Sequence, residues 1–162
     1  MDRKYVIVLR SKDDNTLIGV DCQDRPTIDG YLFQDEKHAK KYRTIAGAIL
    51  ERIPYPQLYK WEKLSDEIKN VWAMRFFVKA ENDRIYCQEK YEGKKKTVIM
   101  SILHLHKETM ENSPREIAAI TKASKYSYIE VEDCDPKKIT TTDKNQGDKK
   151  SNKNKKYYGK KR

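Results

Sequence analysis

Three runs of alternating apolar residues, joined by turns too short for anything but a reversal, constrain this chain most. Val71–Val78 places Trp72, Met74, Phe76 and Val78 on one face and Arg75 on the other. Glu81, Asn82 and Asp83 make a turn, and Arg84–Glu89 returns as a strand. Gly93 with Lys94–Lys96 makes the next turn, and Thr97–His106 is the third strand. Regular alternation puts Ile99, Leu103 and Leu105 on one face of it. Val98, Met100, Ile102, His104 and His106 then fall on the other. Strands joined this closely pair antiparallel.

The rest of the chain is read around this meander. Tyr5–Leu9 is a first strand, Asp13–Asn15 a turn, and Leu17–Cys22 a possible partner strand. Gln23–Gly30 holds Pro26 and Gly30 and reads as loop. Asp35 reads as an N-cap with Glu36 in the first turn. Ala39, Tyr42, Ile45, Ala46, Ile49, Leu50 and Ile53 then recur at spacings of three and four, the stripe of a helix that Pro54 and Pro56 stop. Ser113, Pro114 and Glu116 form a capping box that starts a short helix to about Ala123. Tyr126–Val131 reads as a last strand. The order predicts an α+β fold over residues 1–136, a small antiparallel or mixed sheet with helices packed on one face.

Charge divides the chain. Residues 137–162 hold eleven Lys or Arg against two Asp, a net +9 of the whole chain's +10. This stretch has almost no aliphatic residues to offset its ordering entropy, so it reads as a disordered, lysine-rich tail. The body is close to neutral, and only local basic clusters there can argue for nucleic acid. Cys22, Cys87 and Cys134 are odd in number and widely spaced, which predicts reduced thiols and no cysteine metal site. The five-residue apolar run near the N-terminus is too short for a signal-peptide core, and Val98–Leu103 is far short of a membrane span. A cytoplasmic protein without membrane contact is expected.

Within residues 64–128 four segments resemble, in order, those of the RelE/HigB toxin superfamily. Leu64 precedes Val71–Arg75 (VWAMR), similar to that family's LWELR strand. Arg84–Tyr86 (RIY) is similar to its RIxY strand. A hydrophobic third strand ends at His104–Lys107 (HLHK), and Ser113–Ile117 (SPREI) resembles its TPxxEI helix start. Upstream, family members pass from the first strand into a pair of helices, whereas one helix is clear here and residues 12–33 read as an extra hairpin or loop. The resemblance implies a metal-independent endoribonuclease with no cofactor. It would cleave mRNA on the ribosome, leave a 2′,3′-cyclic phosphate and answer to a cognate antitoxin protein.

That chemistry removes a proton from the 2′-hydroxyl, stabilises charge on the phosphate and protonates the 5′-oxygen. Arg84 matches the family's phosphate-contacting arginine, and Arg75 offers a second planar fork of donors; the alternative for Arg75 is an exposed strand charge or half of a salt bridge. His104 and His106, two apart, are expected on one face as acid or base. Their HxH spacing also suits a metal, but no third ligand is evident and none is assigned. Tyr126 is the candidate proton donor or base stack, its ordinary alternative being core. Lys107 and the turn Lys94, Lys95 and Lys96 are candidate RNA contacts, otherwise solvated loop. Two other readings remain: a non-enzymatic nucleic-acid-binding protein anchored by its basic tail, and a ParE-like toxin that acts on DNA gyrase.

Overall fold

The computed structural model describes residues 2–106 and 113–134. The basic tail and Lys107 lie outside the described residues. In chain order the elements are β1 (Asp2–Arg10), β2 (Thr16–Asp21), α1 (Arg25–Leu32), α2 (Glu36–Leu50) and β3 (Tyr59–Trp61). Then come β4 (Val71–Phe76), β5 (Asp83–Glu92), β6 (Lys95–His104), α3 (Pro114–Lys125) and β7 (Ser127–Glu130). Among the described residues the fold is α+β, with three helices and one seven-stranded sheet in the order β3-β4-β5-β6-β2-β1-β7. The expected meander is β4-β5-β6. The sheet is mixed, because β2 runs parallel to β6 and β1 parallel to β7.

Helices cover both faces of this sheet, not one. On one face α1 and α2 bury Ile28, Tyr31, Leu32, Tyr42, Ile45 and Ile49 against Ile18, Val20, Met74, Phe76, Ile85, Val98 and Met100. On the other, Ile120 and Ala123 of α3 pack on Val71, Ala73 and Tyr86. Each fully buried large apolar side chain contributes about 1.5–3 kcal/mol.

Helix α1 lies where a loop was expected. Pro26 falls in the first turn, where its missing N–H leaves no bond unmade. Ile28, Tyr31 and Leu32 then supply a buried stripe at spacings of three and one, and an Arg25–Asp29 pair at 3.0 Å braces the outer side. Helix α2 begins as expected, with the Asp35 side chain accepting the His38 N–H at 2.8 Å. It ends at Leu50, before the two prolines; Arg52 takes a positive φ of 54°, and Ile53 is exposed rather than part of the buried stripe. Strand β4 stops at Phe76. Phe77 turns the chain at φ 51°, so Val78 is exposed instead of continuing the core face.

Two more details set the sheet. Gly19 is required where it stands: a Cβ there would lie 2.8 Å from the Tyr5 ring and 3.0 Å from a backbone oxygen of β1. Cys22 and Cys134 are joined in a disulfide with Cα atoms 5.1 Å apart, correcting the expectation of reduced thiols. The partners are 112 residues apart in sequence, and only the pairing of β7 on β1 brings them together.

Candidate active site

The meander sets three of the candidate side chains in one row. Arg75 of β4 is the cross-strand partner of Arg84 of β5, and Arg84 is the partner of His104 of β6. Directly opposed residues share a face of the sheet, with Cα atoms about 4.5–5.5 Å apart. The face is the one that α3 covers.

His104 reaches this face because β6 is irregular. Tyr86 pairs with Ile102 and Cys87 with Met100, so Ser101 is an extra residue between them. Its hydroxyl turns back onto the Ile99 carbonyl at 3.0 Å. Beyond the bulge the alternation is inverted. Leu103 joins the α1–α2 core, whereas Ile102 packs on the α3 side. His104 thus stands beside Arg84 and not on the face of Met100 as regular alternation predicts.

Arg84 is 3% exposed. Its Nη1 donates to Asn82 Oδ1 at 2.6 Å and to the Asp83 carbonyl at 3.3 Å. Its Nε has no hydrogen-bond partner among the described residues. Neither Arg84 nor Arg75 forms an ion pair among those residues. Burial, and then the like charge of Arg75, pull the Arg84 guanidinium below its ordinary pKa, against weaker opposing effects of Tyr86, Glu62 and Glu116. Arg75 is half-buried and donates through Nη1 to the Pro56 carbonyl at 3.0 Å.

Two residues that sequence reasoning left out of the site complete it. Tyr86 follows Arg84 by two and so shares its face; it is wholly buried, with its ring centroid 6.1 Å from that of His104. Its hydroxyl has no hydrogen-bond partner among the described residues. Burial, followed by the charges of Glu62 and Glu116, raises the Tyr86 pKa far above the usual phenol range, so the group stays protonated. Glu116 starts α3 as the N3 residue of the capping box, its Oε1 accepting the Ser113 N–H at 2.5 Å. Its Oε2 lies 3.9 Å from His104 Nε2, with the carboxylate 1% exposed and the imidazole 11%. The helix start therefore holds the imidazole beside Arg84, and a protonated His104 would face a buried negative charge. The period-two spacing from Arg84 was the signal for Tyr86. The capping glutamate gave none beyond its role in the helix.

The other candidates are placed elsewhere. His106 takes a positive φ of 57°, and its side chain is 72% exposed. Its N–H donates to Asp83 Oδ1 at 3.0 Å, and Asp83 belongs to the opposite face, where Tyr31 donates to Oδ2 at 2.6 Å. The two histidines therefore diverge, since the strand ends at His104. Tyr126 is the C-cap of α3, buried with Tyr5, Ile99 and Tyr128. Its carbonyl accepts from Gln88, four residues along β5 from Arg84, or about 13 Å away at strand rise. Lys94, Lys95 and Lys96 occupy the far end of the β5–β6 hairpin. Lys95 pairs with Glu92, about 26 Å along β5 from Arg84. Lys96 is drawn inward to Glu89 at 3.4 Å. None of these three lysines can share a bound phosphate with Arg84.

A cavity of about 930 Å³ lies away from this chemistry, between the β1–β2 turn and α2, lined by Arg10, Lys12, Asp14, Arg43 and Arg52 among others. It is an open groove of mixed charge, and the row on β4-β5-β6 is the better site by its chemistry. Among the described residues no group of three or more His, Cys, Asp or Glu is placed to hold a metal ion, and no helix is long and apolar enough to cross a membrane. No protein-family model, curated protein or solved structure matches the chain.

Proposed function

We propose that this protein is an endoribonuclease of the RelE/HigB toxin type, acting on mRNA at the ribosome without a metal ion and held in check by an antitoxin protein. The observation that carries this reading is the row Arg75–Arg84–His104 across three neighbouring strands under the start of α3. Arg84 and Arg75 bring two fixed positive charges to one place with no carboxylate paired to either among the described residues, which suits a phosphate diester gaining charge as it is attacked. The His104 imidazole takes the proton of the 2′-hydroxyl. The new bond joins the 2′-oxygen to phosphorus, the bond to the 5′-oxygen breaks, and that oxygen takes up a proton. A 2′,3′-cyclic phosphate and a 5′-hydroxyl result.

The fold lends the reading further support. Helix α1 supplies the second helix that the sequence hid, so β2 leads into a helix pair, then the meander, then α3. A strand leading into a pair of helices is what the resemblance implies; β1 in front and β3 between α2 and the meander are additions to it. Of the earlier candidates, Arg84, His104 and Arg75 remain in the proposed site; His106, Tyr126 and Lys94–Lys96 leave it.

Induced expression in a bacterial host, with mapping of RNA 5′ ends, tests the reading with wild type and Arg84→Ala. Growth arrest with new mRNA ends, both lost in the variant, is expected. Unchanged growth and RNA from folded protein would contradict it, and would favour a non-enzymatic nucleic-acid-binding protein.

A further inference from the structure

Two buried hydrogen-bond donors stand on one face of β5 two residues apart, Arg84 Nε and the Tyr86 hydroxyl, and neither meets an acceptor among the described residues. Buried donors left unpaired cost stability, and folds avoid them. This fold does so a short way along the same face. Tyr128 is also buried there, and its hydroxyl donates to Asp21 Oδ2 at 2.7 Å and lies 2.8 Å from Ser101 Oγ. The contrast marks the Arg84–Tyr86 pair as donors whose acceptor lies beyond the described residues.

We propose that Arg84 Nε and the Tyr86 hydroxyl are an oxyanion clamp for the non-bridging oxygens of a bound phosphate, which makes Tyr86 a further catalytic residue of the site. This rests on the ribonuclease reading for its reaction, though not for the anion it binds. An arginine offers only donors, and a phenol that keeps its proton is a neutral donor beside it. Two residues apart on one face of β5, the two side chains leave the strand about 6.6 Å from each other, within the span of one ligand. The clamp moves no proton. Its donors are fixed in a water-poor site before charge develops on the phosphate, where such donors act most strongly.

The test uses the full chain as wild type, Tyr86→Phe and Arg84→Met. Inorganic phosphate is titrated by calorimetry, RNA cleavage is measured on the same preparations, and each is melted to check its fold. Binding of phosphate by the lysine-rich tail is common to all three and cancels in the comparison. Tyr86→Phe removes an unpaired hydroxyl, so it is expected to melt at the same temperature or higher. It should bind phosphate about tenfold more weakly, the loss of one hydrogen bond to a charged group. Its kcat should fall about 100-fold with KM little changed, the pattern of a contact made mainly in the transition state. Weakened phosphate binding in both variants without any cleavage by wild type would uphold the clamp and overturn the ribonuclease reading. Cleavage by wild type with Tyr86→Phe equal to it in binding and rate would overturn the clamp and leave the reading standing. Absence of site-dependent phosphate binding in wild type would also overturn the clamp.

Discussion

Arg3 and Arg84 lie on the same side of one sheet, and both side chains are almost wholly removed from water. Arg3 is paired by its fork to Asp21, Nε to Oδ2 at 2.6 Å and Nη2 to Oδ1 at 3.0 Å, and lies 4.1 Å over the Tyr126 ring. The same carboxylate accepts from the Tyr128 hydroxyl and from the N–H groups of Gln23 and Asp24. Burial lowers the Arg3 pKa, but the Asp21 hydrogen bonds and charge outweigh it, and the net shift is upward. For Arg84 the net shift is downward, since burial is joined by the like charge of Arg75. One arginine is a finished internal contact. The other is a buried cation whose acceptors among the described residues are neutral, Asn82 Oδ1 and a backbone carbonyl. The difference teaches where the fold gives up stability, and a ligand's negative charge would complete the second arginine as Asp21 completes the first.

Mutations should separate the two arginines. Asp21→Ala leaves Arg3 and Tyr128 without their shared acceptor, and breaking a buried pair in this way costs about 3–5 kcal/mol. Denaturant unfolding measures it, and a loss below about 1 kcal/mol would mean that Arg3 is not the finished contact described. Tyr128→Phe removes a buried hydrogen bond to a carboxylate and should cost about 1.5–3 kcal/mol. A Tyr128→Phe protein as stable as Tyr86→Phe would erase the contrast between the two hydroxyls. A further effect is expected from base. Burial, then Glu130, pushes the Tyr5 phenol up to about 12, so the native state holds a proton that the unfolded chain releases near pH 10. The contribution of Tyr5 to stability is therefore level below pH 10 and is lost as pH rises from 10 towards 12. Melting temperatures across that range check it, and a rising trend would contradict the burial of Tyr5.

The three-strand meander was legible because its turns are short and its apolar residues alternate. Arg75, Arg84 and His104 were legible as residues of interest. Their meeting in one row was not, because His104 reaches the α3 face only through the extra residue at Ser101, and a bulge leaves no mark on a pattern of apolar and polar letters. Helix α1 was hidden by Pro26 and Gly30, which read as loop unless the proline is known to sit in a first turn. Tyr86 stood in the sequence only as part of the Arg84–Tyr86 segment; its spacing from Arg84 marks its face, but the partner of its hydroxyl, like that of Tyr128, is decided by distant strands. Tyr126 was misplaced for the complementary reason, since its distance from Arg84 is set by where α3 ends along β5. The Cys22–Cys134 pair depends on the parallel docking of β7, which local sequence does not encode.

The central claim is that Arg84 is kept buried for a ligand and not for the fold. Arg84→Met tests it most directly, since methionine keeps much of the aliphatic packing and removes the charge. Thermal unfolding and RNA cleavage are measured on one preparation beside wild type. The account predicts an unchanged or higher melting temperature with cleavage lowered about 10²–10³-fold. A variant that unfolds more readily, yet cleaves RNA as wild type does in its folded fraction, would make Arg84 a structural residue and contradict the account.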